Sequence, residues 1–426
     1  MAPLRTRLQP DPAPELDLLA LEGSVPAPVL RAKAGEDLFV RIVNDGPLPL
    51  TLHWHGLRGP NAVDGVGGLT QPPIAPGASL EQRFTPPDPG IILLRPFAPG
   101  HSGALGGRGV AGALVVEEPE PPKVDADHVI LVGDMRLAPD GNLAPFGAAL
   151  EAATGGRLGG LLVVNGKPAP AAFSTRPGSR LRLRLANIAN ARAMRIRFDD
   201  LKTFVIAIDG QPTDPFEPLR STLPFPPGSR YDVIVEVPAT SGPKGSVMGL
   251  VGQGGTALVT VEGAGESLPR GDQAAIAPLR PNDKLPAEIR LQNAARKELT
   301  IEGGATRDPS GAVVYTGDPA RIWTINGAPG SGTAKPALSV KRGTFVVLAI
   351  HNRTPTAQPM HLHGHSFRLL HARDDGWEPY WLDTLSVPEM RSVHIAFRAD
   401  NPGRWALSST VLERFDTGLW TWFEVT

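Results

Sequence analysis

The 426-residue chain has no cysteine. Disulfides, thiolate-bound metals and cysteine nucleophiles are excluded together. Neither sign of charge is in excess: 42 lysines and arginines face 43 aspartates and glutamates, a formal charge of −1. That balance gives a polyanion nothing to read, so nucleic acid is not an expected partner. No apolar run reaches 18 residues, and the start, MAPLRTRLQPDPAPELDLLA, lacks the apolar stretch of a signal peptide. The chain as given reads as soluble, with no transmembrane segment; if it is exported, a signal peptide was removed before this numbering begins. Histidine is scarce too, ten residues in all.

Turn formers are abundant. The 48 glycines and 46 prolines are scattered rather than gathered in one block, which favours an all-β protein of many short strands. The length suits about three domains, and 41% apolar residues suffice for their cores.

Three stretches share one frame: AGEDLFVRIVNDGPLPLTLHWHG (34–56), PGSRLRLRLANIANARAMRIRFDD (177–200) and RGTFVVLAIHNRTPTAQPMHLHGHSF (342–367). In each, a glycine (Gly35, Gly178, Gly343) precedes an asparagine (Asn44, Asn187, Asn352) by nine residues. An alternating strand lies between them, such as Leu181, Leu183 and Leu185 against Arg180, Arg182 and Arg184. Nine residues past each asparagine a second strand carries His53 and His55, then Ile196 and Phe198, then His361 and His363. A later pair of segments, around Phe84 and Phe397, reaches Pro-Gly five residues on in both. Three consecutive β-sandwich domains are expected, at 1–120, 121–283 and 284–426. Their boundaries fall near EEPEPPK (117–123) and within 267–284.

On a strand, residues i and i+2 share a face. His53/His55 and His361/His363 are thus aligned pairs on equivalent strands of the first and third repeats. If those domains face each other, four imidazoles meet, a donor set for copper or zinc, with the order of divalent affinities favouring copper. A single His-x-His would equally be an ordinary surface or core pair. Two at homologous positions, with Ile196 and Phe198 in the middle copy, point to a shared metal site. His365 continues the same face as a packing or supporting residue. His128, His351, His371 and His394 have no partner at motif spacing and read as isolated structural residues. Trp405, Trp420 and Trp422 are expected to pack the final sandwich.

The stretches LHWHGLRGPNAVDGVGGLTQPPIAPG and QPMHLHGHSF resemble copper motifs of the three-domain multicopper oxidases, the laccases and bacterial cuprous oxidases. VNGKPAP, VIAIDGQP and PPGSRYDVIVEV resemble that family's second domain. The resemblance spans nearly the whole chain and implies three cupredoxin-like Greek-key sandwiches, with metal held between the first and third, and a periplasmic or secreted location. It implies that His53 and His361 match type 2 copper ligands, and that His55 and His363 match one ligand on each type 3 copper. Asp64 matches the family's proton-delivering acid, or else simply holds a loop.

The resemblance also shows what is missing. The family's W-x-H-x-H reads GIILLRPF here, with Arg95 and Phe97 at the histidine positions. The type 1 copper histidines become Gln358 and Arg414, the cysteine becomes Ser409 and the axial methionine Leu419. Ser408 and Thr410 stand for two further cluster histidines, and Phe415 for a glutamate of the proton path. The repeat alone gives the same register: Arg95 and Phe97 follow Gly90 at +5 and +7, as Ser408 and Thr410 follow Gly403. His101, in the connecting loop, reads as an ordinary loop residue rather than a substitute ligand.

One metal ion with two to four histidines is then the most the motifs support. Arg95, always charged, would repel a second ion; it either contacts an anionic or substrate group or forms a structural ion pair. Three functions follow: a single-copper oxidoreductase acting on a small molecule without laccase-type electron transfer, a non-catalytic copper-binding or scaffold protein similar to copper-free cell-division relatives, or a zinc hydrolytic site. No protein partner is legible.

Overall fold

Three asparagines set the frame of the chain. In the computed structural model, which describes residues 1–240, 242–252, 254–268, 275–371 and 376–426, Asn44, Asn187 and Asn352 are all buried and play one role. The Asn44 amide donates to the Leu48 and Ile74 carbonyls at 2.9 and 2.8 Å, and its oxygen accepts the Gly46 N–H at 3.1 Å. Asn187 binds Arg192, Phe225 and Ala189 in the same way. Asn352 binds Thr356, Val387 and Thr354. Each side chain ties the turn that ends one strand to a second, distant segment. The glycines nine residues earlier all have φ between 82° and 87°, a region open to glycine and strained for other residues. Asn187→Ala should leave three backbone groups without this partner, two of them buried, and lower stability by about 3 kcal/mol, read as a fall in the denaturant midpoint; an unchanged midpoint would refute this account of the repeat.

The chain is all-β and folds as three consecutive cupredoxin-like sandwiches. Each has a parallel strand pair at the same place: Leu30–Lys33 with Gly112–Glu117, Ala171–Thr175 with Gly254–Gly263, and Leu338–Val340 with Trp420–Val425. The second and third add another parallel pair, Ala126–Met135 with Arg180–Asn187 and Ala295–Gly303 with Thr344–Asn352. Leu181, Leu183 and Leu185 point into the core as the alternation predicts. The opposite face of that strand departs from the simple pattern, because Arg182 and Arg184 are also buried. Asp232, Glu118 and Asp127 neutralise them.

Two strands carry the histidine motifs. Leu52–His55 pairs with Gly90–Pro96, and Gln358–Leu362 lies between Thr384–Val387 and Gly403–Ser409. Trp405 packs in the large core as expected. Trp420 and Trp422 do not: they join Val66, Leu69, Phe97 and Phe415 in a cluster bridging the first and last parts of the chain. Of the expected boundary at 267–284, residues 269–274 lie outside the described residues. No helix among the described residues is long and apolar enough to cross a membrane.

Candidate metal centre

The two histidine pairs, some 300 positions apart in sequence, stack on each other. The His55 and His361 rings lie 3.6 Å apart between centroids, and His53 and His363 lie 4.0 Å apart. All four rings are buried, none more than 1% exposed. One ligating nitrogen each from His53, His361 and His363 can be chosen so that all lie within 4.8 Å of one another. That spacing suits one ion at imidazole bond lengths of about 2.0 Å.

Backbone carbonyls fix the tautomers. His53 Nδ1 donates to the Asp64 carbonyl at 2.6 Å, and His361 Nδ1 to the Asp383 carbonyl at 3.0 Å. In the neutral ring this leaves the lone pair on Nε2, the arrangement that prepares an imidazole for a metal. Both Nε2 atoms are buried with no hydrogen-bond partner. A buried polar atom left unpaired costs about 1–3 kcal/mol, and a cation between the two would recover it. His363 and His55 are less free. His363 Nε2 faces the Ser408 hydroxyl at 2.9 Å, and His55 Nε2 the Thr384 hydroxyl at 2.9 Å. Burial pushes His55 far below the ordinary histidine range, lowers His361, and takes His363 down to about 3. These three rings are neutral at pH 7, which is the ligating form. The residues present thus fit copper or zinc.

Asp64 serves both pairs. Its carboxylate is 3.3 Å from His53 Nδ1 and accepts from His363 Nδ1 at 3.1 and 3.2 Å. Burial raises its pKa, but His363 and His53 outweigh that and hold it well below the usual range. The bland alternative, a mere loop anchor, understates these contacts.

A second carboxylate, Asp383, was not evident from spacing. Arg230 grips it with two bonds of 2.8 and 2.6 Å, and Asp209 accepts the backbone N–H groups of residues 383 and 384. Asp383 Oδ1 also lies 3.3 Å from His361 Nδ1 and 3.7 Å from His55 Nε2. Asp209 and Arg230 belong to the middle repeat, so the part of the chain without histidine motifs holds the site from behind. Gly228, two residues before Arg230, makes this approach feasible: a Cβ there would stand 2.7 Å from His55 Cε1 and 3.2 Å from Arg95 Nη1. AIDGQP and GSRYD carried these residues in the sequence, but nothing local in them indicated a role at the histidines.

Arg95 sits opposite His53 across the neighbouring strands. It is 1% exposed and donates from Nη2 to the Ala189 and Thr410 carbonyls at 3.1 and 3.0 Å. The structural ion pair weighed from sequence is not formed: among the described residues no carboxylate lies within salt-bridge range, and Nη1 has no partner. Phe97, the other substituted position, packs edge-on against His53 and His363.

The positions that the resemblance matched to a type 1 copper site do converge, but around other chemistry. Arg414 Nη1 donates to Gln358 Oε1 at 2.6 Å, and its Nη2 to the Thr154 carbonyl at 2.6 Å. The Ser409 N–H donates to the Leu419 carbonyl at 2.9 Å. His365 corrects another expectation. It does not share the face of His361 and His363, because the chain turns at Gly364 (φ 65°) and the ring enters the core between Phe397, Trp405 and Phe423. His101 flanks the Ser102–Gly107 helix and belongs to neither group of close ligand atoms found among the described residues.

Comparison with known proteins agrees with this architecture. Multicopper oxidase family models match residues 5–121, 126–244 and 305–426. The multicopper oxidase MmcO of Mycobacterium tuberculosis is 30% identical over 94% of this chain and 82% of its own length. Laccase-1 of Botryotinia fuckeliana is 26% identical over 94% of this chain and 77% of its own. The crystal structure of a multi-copper oxidase from Pseudomonas Thermotolerans superposes with a TM-score of 0.86 at 28% identity, covering 100% of this chain and 97% of that one. The chain belongs to the multicopper oxidase family.

Proposed function

We propose that this family member binds one metal ion, copper, among His53, His361 and His363, with His55 closing the set, and that it performs no laccase-type electron transfer. The observation that carries this is the pair of buried, partnerless Nε2 atoms on His53 and His361, beside positions where Arg95, Phe97, Ser408 and Thr410 supply no imidazole. The Arg414–Gln358 hydrogen bond fills the place from which the family draws electrons. On this reading the domains divide at 1–120, 121–283 and 284–426, and the centre joins the first to the third.

Bound copper would supply a Lewis acid and a one-electron couple. The protein's own groups do the rest. Asp64 holds a proton acceptor at His363 Nδ1, Asp383 and Arg230 orient His361, and Phe97 excludes water from one side. Any small-molecule substrate would reach the centre only after some opening, because the four rings are closed off. That closure favours a second reading, a non-catalytic copper-holding protein with the same centre.

Elemental analysis of protein from copper-replete cells should find about one copper per chain, with no intense blue absorption. His361→Ala should abolish it. Three or four coppers or a blue band would overturn the proposal, whereas a wild-type chain free of metal would leave only a scaffold. Turnover of phenols or cuprous ion by the loaded protein separates oxidoreductase from holder.

A further inference from the structure

Arg95 is a buried cation, and among the described residues no carboxylate lies within ion-pair distance of it. Its nearest favourable carboxylate, Glu413, is committed to the Asn190 amide at 2.8 Å and the Arg157 N–H at 3.3 Å. Arg95 Nη1 and the His55 ring both crowd the space beyond the Gly228 Cα: a Cβ there would stand 3.2 Å from the one and 2.7 Å from the other. Replacing a ligand histidine by a guanidinium therefore places a fixed positive charge at the edge of the centre.

We propose that Arg95 makes this centre selective for the singly charged cuprous ion over cupric and zinc ions. The inference rests on the single-copper reading above and adds which oxidation state the site holds. Two arguments support it. The first is charge. Arg95 sets one fixed positive charge beside the His55 ring, and every unit of charge on a bound ion is opposed by it once more. In a site this dry such repulsion is strongly disfavoured, so a singly charged ion is opposed least. Removing Arg95 lifts that opposition and does so more for a divalent ion than for a cuprous one.

The second is the donor set. Of the four rings, His53 and His361 offer a partnerless Nε2 and His55 a partnerless Nδ1, with His363 available once it leaves Ser408. A cuprous ion is content with two or three imidazoles. A cupric ion prefers a tetragonal set of nitrogen and oxygen donors, and Arg95 and Phe97 stand where two more nitrogens would be needed. Zinc wants four ligands and meets the same shortage and the same charge.

The test compares wild type with Arg95→Met and Arg95→Gln. Cuprous affinity is measured by competition with a chromophoric cuprous chelator under anaerobic ascorbate. Cupric and zinc affinities are measured by competition with a chelator for divalent ions. Wild type should favour cuprous ion, and both variants should narrow the cuprous-to-cupric ratio by roughly tenfold or more, the scale of one unit charge acting across protein interior. For a one-electron couple, tenfold corresponds to about 59 mV. Zinc affinity should rise in parallel. Copper-loaded variants whose ratio equals that of wild type would overturn the role of Arg95 while leaving the single-copper centre intact. A wild type that binds neither oxidation state would instead overturn the centre itself. Arg95→Gln keeps a donor for the Ala189 and Thr410 carbonyls, so the comparison survives if Arg95→Met does not fold.

Discussion

Asp383→Ala is expected to destabilise the metal-free protein by about 3–5 kcal/mol, the usual consequence of stripping one partner from a buried ion pair. Arg230 is fully buried, and without Asp383 its remaining carboxylate is Asp209 at 3.6 Å. The variant also loses the acceptor of the Thr384 hydroxyl at 2.8 Å, and that hydroxyl in turn meets His55. The effect should therefore have two parts: a lower guanidinium midpoint and weaker copper binding through loosened His55 and His361. Asp383→Asn keeps the shape and one acceptor and should fall between. Combining Arg230→Met with Asp383→Leu should recover part of the stability, since the buried guanidinium is then gone, although Asp209 keeps only its backbone N–H donors; copper binding should stay weak. If Asp383→Ala unfolds at the same midpoint as wild type, the network is not what holds the middle repeat against the histidines.

What the sequence made legible is what repeats or alternates. The glycine–asparagine spacing is local, so it announced the three sandwiches, and the i, i+2 rule put each histidine pair on one face. The expectation that Arg95, Phe97, Ser408 and Thr410 stand in place of histidines could be formed because two repeats count the same distance from a Pro-Gly turn. The supporting groups were not. Arg230 and Asp383 meet across 153 positions, and neither lies in a pattern that distinguishes a partner from a surface residue. The direction of Trp420 and Trp422 was equally hidden: alternation says which face is apolar, not whether a sandwich core or a neighbouring domain covers it. His365 failed for a different reason. The i, i+2 rule holds only while the chain stays extended: the His363 N–H still bonds the Ala406 carbonyl one residue past the strand, and the turn at Gly364 then ends the alternation.

His365→Phe should separate packing from ligation, and pH supplies the lever. Burial among Phe397, Trp405 and Phe423 pushes the His365 ring down to about 3, against about 6.5 in an unfolded chain. The folded state refuses a proton that the unfolded state accepts. The contribution of a neutral ring is thus fully present above pH 6.5 and is lost progressively as pH falls toward 3. The slope is about 1.4 kcal/mol per pH unit, or about 3 kcal/mol by pH 4. Other groups act in the opposite sense: burial pushes the Asp416 carboxyl up to about 7, so its protonated folded form gains stability as pH falls from 7 toward the unfolded value. The whole-protein curve mixes these signs, and only the difference between variant and wild type isolates one ring. Phenylalanine offers the same edge-to-face packing without a titrating nitrogen, so the variant should gain on wild type by about 3 kcal/mol between pH 7.5 and pH 4, read from denaturant midpoints at each pH. Copper content should not change. A stability gap independent of pH would mean the ring is protonated or solvated in the fold, and lost copper would make His365 part of the centre after all.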